Sequence, residues 1–392
     1  MDKKRLLQEE IQWFIQEHED DDLQQLILQK EKFHHLPLLA IIEQIAGKKK
    51  AKQKLPTWYK TKDILYPAVI SVEQSSSENT AKYKAALFSG RSAVDLTGGF
   101  GVDSYYLAQN FDSFSYVERN EQLANIARHN FTCLRQHNIH IVISSAEEFI
   151  SAGKENYELI FIDPDRRPDK KIEHGFKQSE PDLTILLPAL LKISDHILIK
   201  ASPMMDITQG MRELQHVKMV IVLAVDNEVK ELLFWISQEA QAVKIRCVNI
   251  KKDEEQILEY NADQEQASCI IGMLSKYLYE PNAAIMKAGA HSEICRKFVL
   301  KKLHPNTHLF TAEEFLNDFP GRVFKVIADT SYKKHQVLAF LEGKKANISV
   351  RNFPDTPAQV KKKLALNDGG EQYIFGYRNM NNEPRIVICE KA

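Results

Sequence analysis

A short apolar segment followed at once by a glycine-rich turn constrains this chain more than any other feature. The segment ends at Asp95, and Gly98, Gly99 and Gly101 follow closely. A pattern typical of a helix begins near Ser104. Glycine lets a backbone adopt positive φ and lets a ligand approach closely. The free N–H groups at the start of a helix point into such a turn, so we predict a strand, a ligand-binding turn and a helix.

Two ligands could use this turn. A dinucleotide site favours Gly-x-Gly-x-x-Gly/Ala, and Ser104 stands where the third small residue belongs. S-adenosylmethionine needs a carboxylate and backbone carbonyls around its ammonium group. Asp95 at the strand end suits that need better, together with Thr97 and the three glycines. A loop without any ligand is the plain alternative, and the residues downstream must decide.

Acidic residues follow two further strand-like segments. After segment 112–117, Glu118 lies near the position, roughly 20 residues beyond a glycine turn, where an acid accepts hydrogen bonds from ribose hydroxyls. After segment 139–143 come Glu147 and Glu148. Glu147 could meet an adenine amine, or it could serve a helix N-terminus, which is the interpretation we favour for Glu148.

A fourth apolar segment, 159–162, leads into an acidic and basic loop that begins Asp163-Pro164. The four segments alternate with helical patterns, which is typical of a doubly wound parallel sheet. Ligands of such sheets lie at the carboxyl ends of the strands. The sequence therefore predicts an α/β domain whose turn and loop residues share one edge.

This order of motifs resembles the class I S-adenosylmethionine-dependent methyltransferases, and more closely the bacterial methyltransferases with a C-terminal THUMP-like domain. The resemblance spans most of the chain and is weakest in the first sixty or so residues. The residues that carry it are 74–78, Thr80-Ala81, Tyr83-Lys84, 95–103, Glu118, Asn130, 163–167, Glu180-Pro181 and 200–203.

The resemblance implies a fold, a cofactor and a partner. The fold is a Rossmann-like α/β sheet domain with an N-terminal helical region and small α+β domains, ferredoxin-like then THUMP-like, at the C-terminus. The cofactor is S-adenosylmethionine, with residues 74–84 above it, so that Gln74 or Ser77 contacts it. The serines before Glu78 would otherwise form a plain capping box. The partner is RNA, either tRNA or rRNA.

The candidate catalytic residues follow from the same resemblance. Methyl transfer is an in-line displacement, in which positioning the nucleophile supplies much of the rate. Relatives that act on exocyclic amines often carry an aromatic residue after Asp-Pro, whereas Asp163-Pro164 is followed here by polar residues, which disfavours stacking of a planar amine. Arg166 and Arg167 could hold a substrate phosphate or pair with nearby acids. Lys200 could line the substrate pocket or simply end a strand.

Composition narrows the class of protein. The 392 residues suggest two or three domains, and 52 Lys and Arg against 53 Asp and Glu give no global charge signal. The five cysteines have no metal-type spacing, so we expect neither a zinc site nor a disulfide framework. The charged N-terminus and the lack of long apolar runs predict no membrane segment. A cytoplasmic protein is expected.

We predict four segments in the chain. Residues 1–67 form a helical region, 68–279 the methyltransferase domain, 280–321 the ferredoxin-like domain and 322–392 the THUMP-like domain. In the helical region, the lysines at 48–54 suit a solvated face or phosphate contacts. Trp58 and Tyr59 could pack within the core or stack on nucleic-acid bases.

The less informative region after Lys200 yields coarser expectations. Strands are expected at 219–223, 232–236 and 243–250, with the alternating charges of Glu228, Lys230 and Glu231 on an exposed face. Residues 253–271 suggest a hairpin, and two short helices are expected to flank 304–309.

The last segment carries the charge signal for a partner. Residues 322–392 hold 13 Lys and Arg against 7 Asp and Glu, a net charge of +6. A basic appendage on an acidic remainder favours an anionic polymer, with Lys333-Lys334 and Lys361–Lys363 as candidate phosphate contacts. Three hypotheses remain: an RNA methyltransferase, a methyltransferase of a small molecule or protein, and a cofactor-binding scaffold without catalysis.

Overall fold

The computed structural model describes residues 3–153, 155–166, 175–239, 241–252, 254–263 and 268–392. The chain divides into two compact units, of which the first contains residues 1–218 and 232–241 and the second contains residues 219–231 and 242–392. Across the part of the chain that the structure describes, no helix has both the length and the apolar character needed to cross a membrane.

The first unit begins with helices, as predicted for residues 1–67. Trp58 is fully buried against the Phe100 and Tyr105 rings, so it belongs to the core rather than to a stacking surface. Tyr59 donates to Glu19 at 2.7 Å. The helical elements are a 3-10 helix at Lys3–Leu7, α1 (Glu9–Glu17), α2 (Leu23–Leu28), α3 (Leu38–Lys54) and α4 (Pro56–Lys60).

The lysine-rich end of α3 is tied to acids of the same unit. Lys48 pairs with Glu19 and Lys50 pairs with Glu73, each at 2.7 Å. These contacts fit the solvated-face interpretation. The exposed Lys50–Glu73 pair adds little to stability, whereas Glu19 in the other pair is buried.

A parallel sheet follows, as the alternating pattern predicted. Its described strands run in the order β7-β4-β1-β2-β3, and each neighbouring pair is parallel. The elements are α5 (Val69–Gln74), α6 (Glu78–Ala85), β1 (Gly90–Asp95), α7 (Val102–Ala108), β2 (Phe111–Glu118), α8 (Glu121–Cys133), β3 (Ile139–Ile143), α9 (Ala146–Ala152), β4 (Leu159–Ile162), β5 (Asp165–Arg166), a 3-10 helix at Phe176–Gln178, β6 (Ser179–Glu180), α10 (Leu183–Leu190), β7 (Ile197–Ala201) and α11 (Ile207–Glu213).

The central strands are buried on both faces, which explains their nearly continuous apolar sequence. All four residues of β4 and the first three of β7 are buried. Asn130 of α8 is also buried and bonds to both the N–H and the carbonyl of Leu65, at 2.9 and 2.8 Å. The helical region is thereby fixed to a helix of the sheet domain.

Strands β8 (Val217–Val225) and β9 (Glu228–Ile236) contribute residues to both units. In the first unit, residues 232–236 of β9 run antiparallel to β7. Of the three charged residues expected on an exposed face, Glu228 and Lys230 are exposed, but the expectation is wrong for Glu231, whose side chain is buried. Alternating charge predicted a surface, but the following apolar residues belong to a strand that the sheet covers.

The second unit contains the remaining elements. They are β10 (Lys244–Ile250), β11 (Glu255–Asn261), β12 (Tyr277–Pro281), α12 (Ala283–Ala288), α13 (His291–Phe298), β13 (Lys301–His304), β14 (Thr307–Ala312), β15 (Gly321–Ser331), α14 (Lys334–Leu338), β16 (Asn347–Arg351), α15 (Pro357–Leu364), β17 (Gln372–Arg378) and β18 (Pro384–Lys391).

The described strands after residue 276 form one seven-stranded sheet in the order β13-β14-β12-β15-β18-β17-β16. Strand β15 pairs with β12 on one side and with β18 on the other. One buried cluster takes residues from both predicted C-terminal domains, including Leu303, Leu309, Phe324 and Phe375. The ferredoxin-like and THUMP-like segments therefore share a sheet and a core.

Three expectations for this unit are wrong. Both short helices precede residue 304, and 304–309 belongs to the β13–β14 hairpin, because the two helices fill the connection between β12 and β13. In the described part of 253–271, strand β11 pairs antiparallel with β10 and no second strand pairs with it. Cys269 and Cys295 form a disulfide across a separation of 26 residues, a pairing that spacing alone does not reveal.

Candidate cofactor and active site

The turn after β1 is organised by the buried carboxylate of Asp95. Its Oδ1 accepts from the Thr97 N–H at 2.9 Å and from the Thr97 hydroxyl at 3.3 Å. Its Oδ2 accepts from the Ser104 hydroxyl at 2.6 Å, which ties the strand end to helix α7. Burial raises the pKa of Asp95 to about 7, although the bonds from Ser104 and Thr97 act in the opposite direction.

This pKa predicts a pH dependence of stability. Between its ordinary value of 3.8 and about 7, folded Asp95 holds a proton that the unfolded chain has lost. The free energy of unfolding should therefore fall as pH rises from 5 to 8, by about 1–3 kcal/mol from this group. Asp95→Asn should remove that component. Urea unfolding of both proteins at pH 5 and 8 measures it, and an equal fall in both would contradict the assignment.

The glycines bring the backbone of the turn against two rings. Gly99 and Gly101 have φ of +56° and +88°, a region that side chains disfavour. A Cβ at Gly101 would lie 2.7 Å from Phe131, and one at Gly98 would lie 2.2 Å from the buried Tyr116 ring. The Tyr116 hydroxyl donates to the Gly99 carbonyl at 2.7 Å, and this hydrogen bond restrains the backbone of the turn.

Glu118 lies at the end of β2 with its carboxylate oriented by the backbone. Its Oε2 accepts from the Gly99 N–H at 2.9 Å, and its Oε1 accepts from the Asn120 N–H at 2.7 Å. A carboxylate oxygen can accept more than one hydrogen bond. Glu118 can therefore bind hydroxyl groups while it also holds the glycine turn.

The segment after β3 separates the roles of its two glutamates. Glu148 and Ser145 form a reciprocal capping box, with N–O distances of 3.2 Å in both directions. This confirms the capping interpretation for Glu148. Glu147 lies at the cavity beside Ser144 and Ser145, where an adenine amine would need an acceptor.

In the segment before α6, the residues that line the cavity differ from the residue that caps the helix. Gln74 and Ser76 line the cavity, whereas Ser77 is the N-cap of α6 and accepts from the Thr80 N–H at 3.3 Å. The capping box expected with Glu78 does not form among these described residues, since that carboxylate accepts from Thr57 instead.

Sequence reasoning missed a buried charged cluster beside the turn. Lys84 is fully buried, with its Nζ 3.1 Å from Asp103 Oδ1 and donating to the Ser76 hydroxyl at 3.0 Å. Ser76 in turn donates to Asp103 Oδ2 at 2.7 Å. The acid in the first turn after the last glycine was the available signal, because carboxylates are favoured there.

The loop after β4 places Asp163 at the same edge of the sheet. Its backbone N–H donates to the Thr97 hydroxyl at 2.7 Å, and its carboxylate pairs with Lys200 at the end of β7. Pro164 follows it, and Asp165–Arg166 forms β5, which pairs with β6. The Arg166 side chain and all of Arg167 lie outside the described residues.

These residues surround a cavity of about 290 Å³, close to the lower end of the roughly 300–1,000 Å³ of typical small-molecule sites. Among the described residues, the lining does not include Ser77, Pro164 or Lys200. The predicted residues that do line it are Gln74, Asp95, Thr97, Gly98, Gly99, Gly101, Glu118, Glu147 and Asp163.

The donor set suits a cationic nucleoside. Glycines allow close backbone approach, Glu118 offers a carboxylate for hydroxyls, and acids at the turn offer partners for an ammonium group. The carboxylates Asp103 and Asp163 would repel a pyrophosphate placed at the turn. The residues present therefore fit S-adenosylmethionine better than a dinucleotide.

Two family models match the C-terminal part of the chain. Residues 277–320 match a ferredoxin-like domain, and residues 321–391 match a THUMP domain-like family. A comparison with curated proteins found no significant match.

Among solved structures, the chain is similar to a "putative methyltransferase" from Porphyromonas gingivalis W83. The two are 29% identical over 100% of this chain and 99% of that chain, with a TM-score of 0.88. An rRNA methylase from Streptococcus thermophilus and the Streptococcus mutans protein SMU.1697c in complex with S-adenosylhomocysteine are far less similar. Each is 13% identical over 41% of this chain, covering 95% and 96% of those chains, with TM-scores of 0.30, too weak to support an inference. The chain is therefore a protein with the class I methyltransferase fold that ends in a ferredoxin-like and a THUMP-like domain.

Proposed function

We propose that this protein is an S-adenosylmethionine-dependent methyltransferase that acts on structured RNA, tRNA or rRNA, by direct in-line transfer. The observation that carries the proposal is the convergence of the glycine turn, Glu118 and Asp163 on one cavity, with Lys200 paired to Asp163. The whole-length similarity to the Porphyromonas gingivalis protein supports the same reaction class. An RNA substrate would place the reaction in the cytoplasm.

Different residues of the cavity would bind different parts of the cofactor. The turn at Gly99 and Gly101 would accept the amino-acid end, Glu118 the ribose hydroxyls and Glu147 the adenine amine, with Gln74 covering the site. When bound, S-adenosylmethionine supplies a methyl group on a sulfonium, whose sulfur leaves as a neutral thioether. Asp163 lines the same cavity and would lie beside the acceptor atom.

Asp163 would position the acceptor and take its proton. Lys200 holds one carboxylate oxygen, Oδ2, and the Thr97 hydroxyl holds the backbone N–H of Asp163. An acceptor nitrogen or oxygen would become acidic on methylation, and Asp163 Oδ1, the oxygen that Lys200 does not hold, would take its proton. A base in this position contributes about 10²–10⁴-fold to rate.

The RNA half of the proposal rests on charge and on the THUMP-like domain. Helices α14 and α15 pack together, and Lys363 Nζ of α15 lies 5.5 Å from the ring centroid of Tyr332, the residue before Lys333. Lys361 and Lys363 pair with Asp368 and Asp355, whereas Lys362 is exposed. The exposed lysines at 333, 334 and 362 are therefore the phosphate contacts we favour.

Methyl transfer to RNA is tested directly. Purified protein and S-adenosylmethionine labelled on the methyl group should modify total RNA from a deletion strain and leave RNA from the parent strain unlabelled. Comparison of the modified nucleosides of the two strains should show one methylated nucleoside missing from the deletion strain. Incorporation that survives ribonuclease treatment of a lysate would favour a small-molecule or protein substrate. Cofactor binding with no missing modification would favour the scaffold.

Neutralising the exposed lysines should weaken RNA binding and its salt dependence. Each phosphate contact adds about 0.7–0.9 to the slope of log affinity against log salt concentration. The triple variant Lys333→Gln, Lys334→Gln, Lys362→Gln should therefore lower the slope by about 2–3. Fluorescence anisotropy with a labelled RNA hairpin between 50 and 200 mM salt measures it.

The matched control is a second triple variant that has the same net charge as the first. Lys60, Lys62 and Lys192 are exposed lysines of the first unit, and their replacement by glutamine should leave the slope unchanged. Equal slopes for both triple variants would argue against the α14–α15 surface. Deletion of residues 321–391 is a poorer test, because it removes the strand that pairs with β12.

A further inference from the structure

A second cavity of about 500 Å³ lies in the first unit, and none of its described lining residues also lines the cofactor cavity. Its walls come from α4 and the loop after it, from α7 and from the end of α8. The volume is within the roughly 300–1,000 Å³ of typical small-molecule sites. Neither the cofactor nor the α14–α15 surface accounts for the residues that line it.

Contacts with α8 hold the loop of this cavity in place. The Asp63 carbonyl lies 2.7 Å from His129 Nε2 of that helix. Asp63 and Arg135, on opposite segments of the wall, have φ of +63° and +58°, a region that residues other than glycine rarely adopt. The fold therefore fixes both segments without help from a ligand.

Two exposed cations line the cavity. Neither Lys62 nor Arg135 forms an ion pair with any residue that the structure describes. Arg135 is not needed to cap α8, because the backbone N–H groups of Leu134, Arg135 and Gln136 already bond to three of the last four carbonyls of that helix. Asp63 adds a half-buried carboxylate that likewise has no ion pair in the described part of the chain.

The cysteine of the cavity does not indicate a nucleophile. Burial raises the pKa of the Cys133 thiol, and the Asp63 carboxylate raises it further. The reactive form of cysteine is the thiolate, so the protonated thiol is inert. The cavity therefore suits reversible binding.

The remaining side chains define the chemistry of a ligand. Tyr105 is half-buried, and its ring packs edge-on against Trp58 with 5.9 Å between centroids. An aromatic ring of this kind can stack on a nucleobase. A phosphate monoester carries a charge of about −1.5 to −2 at pH 7, which two cations can balance. A carboxylate can accept hydrogen bonds from ribose hydroxyls.

We propose that the second cavity binds a free nucleoside 5′-phosphate, whose phosphate contacts Lys62 and Arg135. The base would lie on Tyr105, and the ribose hydroxyls would bond to Asp63. Two cations beside one carboxylate match a single monoester, whereas an RNA strand presents a series of phosphodiesters with one charge each. The site does not rest on the proposed function, because it shares no described lining residue with the cofactor cavity.

Titration calorimetry of the full chain with uridine and guanosine 5′-monophosphate tests the site, with S-adenosylhomocysteine in excess to fill the cofactor cavity. At least one nucleotide should bind, and its nucleoside without the phosphate should bind about tenfold more weakly or worse. The double variant Lys62→Gln, Arg135→Gln should weaken nucleotide binding by about 10- to 100-fold, because charge-assisted contacts are lost.

The matched control is Lys60→Gln, Arg128→Gln, which removes two exposed cations of α4 and α8 that are not among the residues lining the cavity. Its nucleotide affinity should stay within about twofold of wild type. Tyr105→Leu should weaken nucleotide binding by about fivefold or more, whereas Tyr105→Phe, which keeps the ring, should not.

Three results would overturn the proposal. They are no binding of either nucleotide to the wild type at millimolar concentration, equal affinity of the two double variants, and loss of RNA affinity in Lys62→Gln, Arg135→Gln without nucleotide binding to the wild type. The last would assign the cavity to RNA. Nucleotide binding by a protein that does not bind S-adenosylhomocysteine would overturn the proposed function and support this site.

Discussion

Asp163→Asn is expected to lower kcat for methyl transfer by about 10²–10⁴-fold, because the amide cannot take the proton of the acceptor. The affinity for S-adenosylhomocysteine should remain within about threefold of wild type, since other residues of the cavity hold the nucleoside and the turn. Single-turnover transfer of a labelled methyl group to RNA from the deletion strain measures the rate.

Two further variants separate chemistry from folding. Lys200→Met should lower kcat less than Asp163→Asn, because it disturbs the orientation of the carboxylate without removing it. Asp112→Asn, an exposed acid of β2, should leave kcat and the melting temperature unchanged. Wild-type kcat in Asp163→Asn would exclude Asp163 as the proton acceptor.

Of the substitutions that we predict, Gly98→Ala should cause the largest fall in the free energy of unfolding. The added methyl group would lie 2.2 Å from the Tyr116 ring, which is fully buried and packs edge-on against Phe131. Overpacking of this kind costs about 1–3 kcal/mol, or more where the ring cannot move. For a unit of this size that corresponds to a fall in melting temperature of about 2–4 °C per kcal/mol.

The control for this substitution is another glycine. A Cβ at Gly343 would have no described neighbour within 4 Å, so Gly343→Ala should leave the melting temperature unchanged. Scanning calorimetry compares the two. A melting temperature for Gly98→Ala equal to that of wild type would mean that Tyr116 yields, and that the turn tolerates a side chain.

The parts of the site carried by local sequence were predictable. Strands β3 and β4 begin and end where their apolar runs do, and the Glu148 cap follows from a serine three residues earlier. The glycine turn was visible because few other residues adopt its backbone angles.

The contacts made across the fold were not predictable in this way. From the sequence, Lys84 looks like a surface lysine of a helix. Only the structure shows that it is buried beside Asp103. Cys269 and Cys295 have no characteristic spacing, and the pairing of β15 with β12 joins two segments that separate family models describe. Alternation of charge around Glu231 suggested solvent where the strand is covered.

The hydroxyl of Thr97 has a consequence for how the two halves of the site respond to each other. It donates to Asp95 and accepts from the backbone N–H of Asp163, so a single hydroxyl group links the turn and the loop. Neither segment can shift far without breaking that link. Filling the cofactor cavity would then restrain the loop at Asp163, so under the proposed function we expect the cofactor to bind before the RNA.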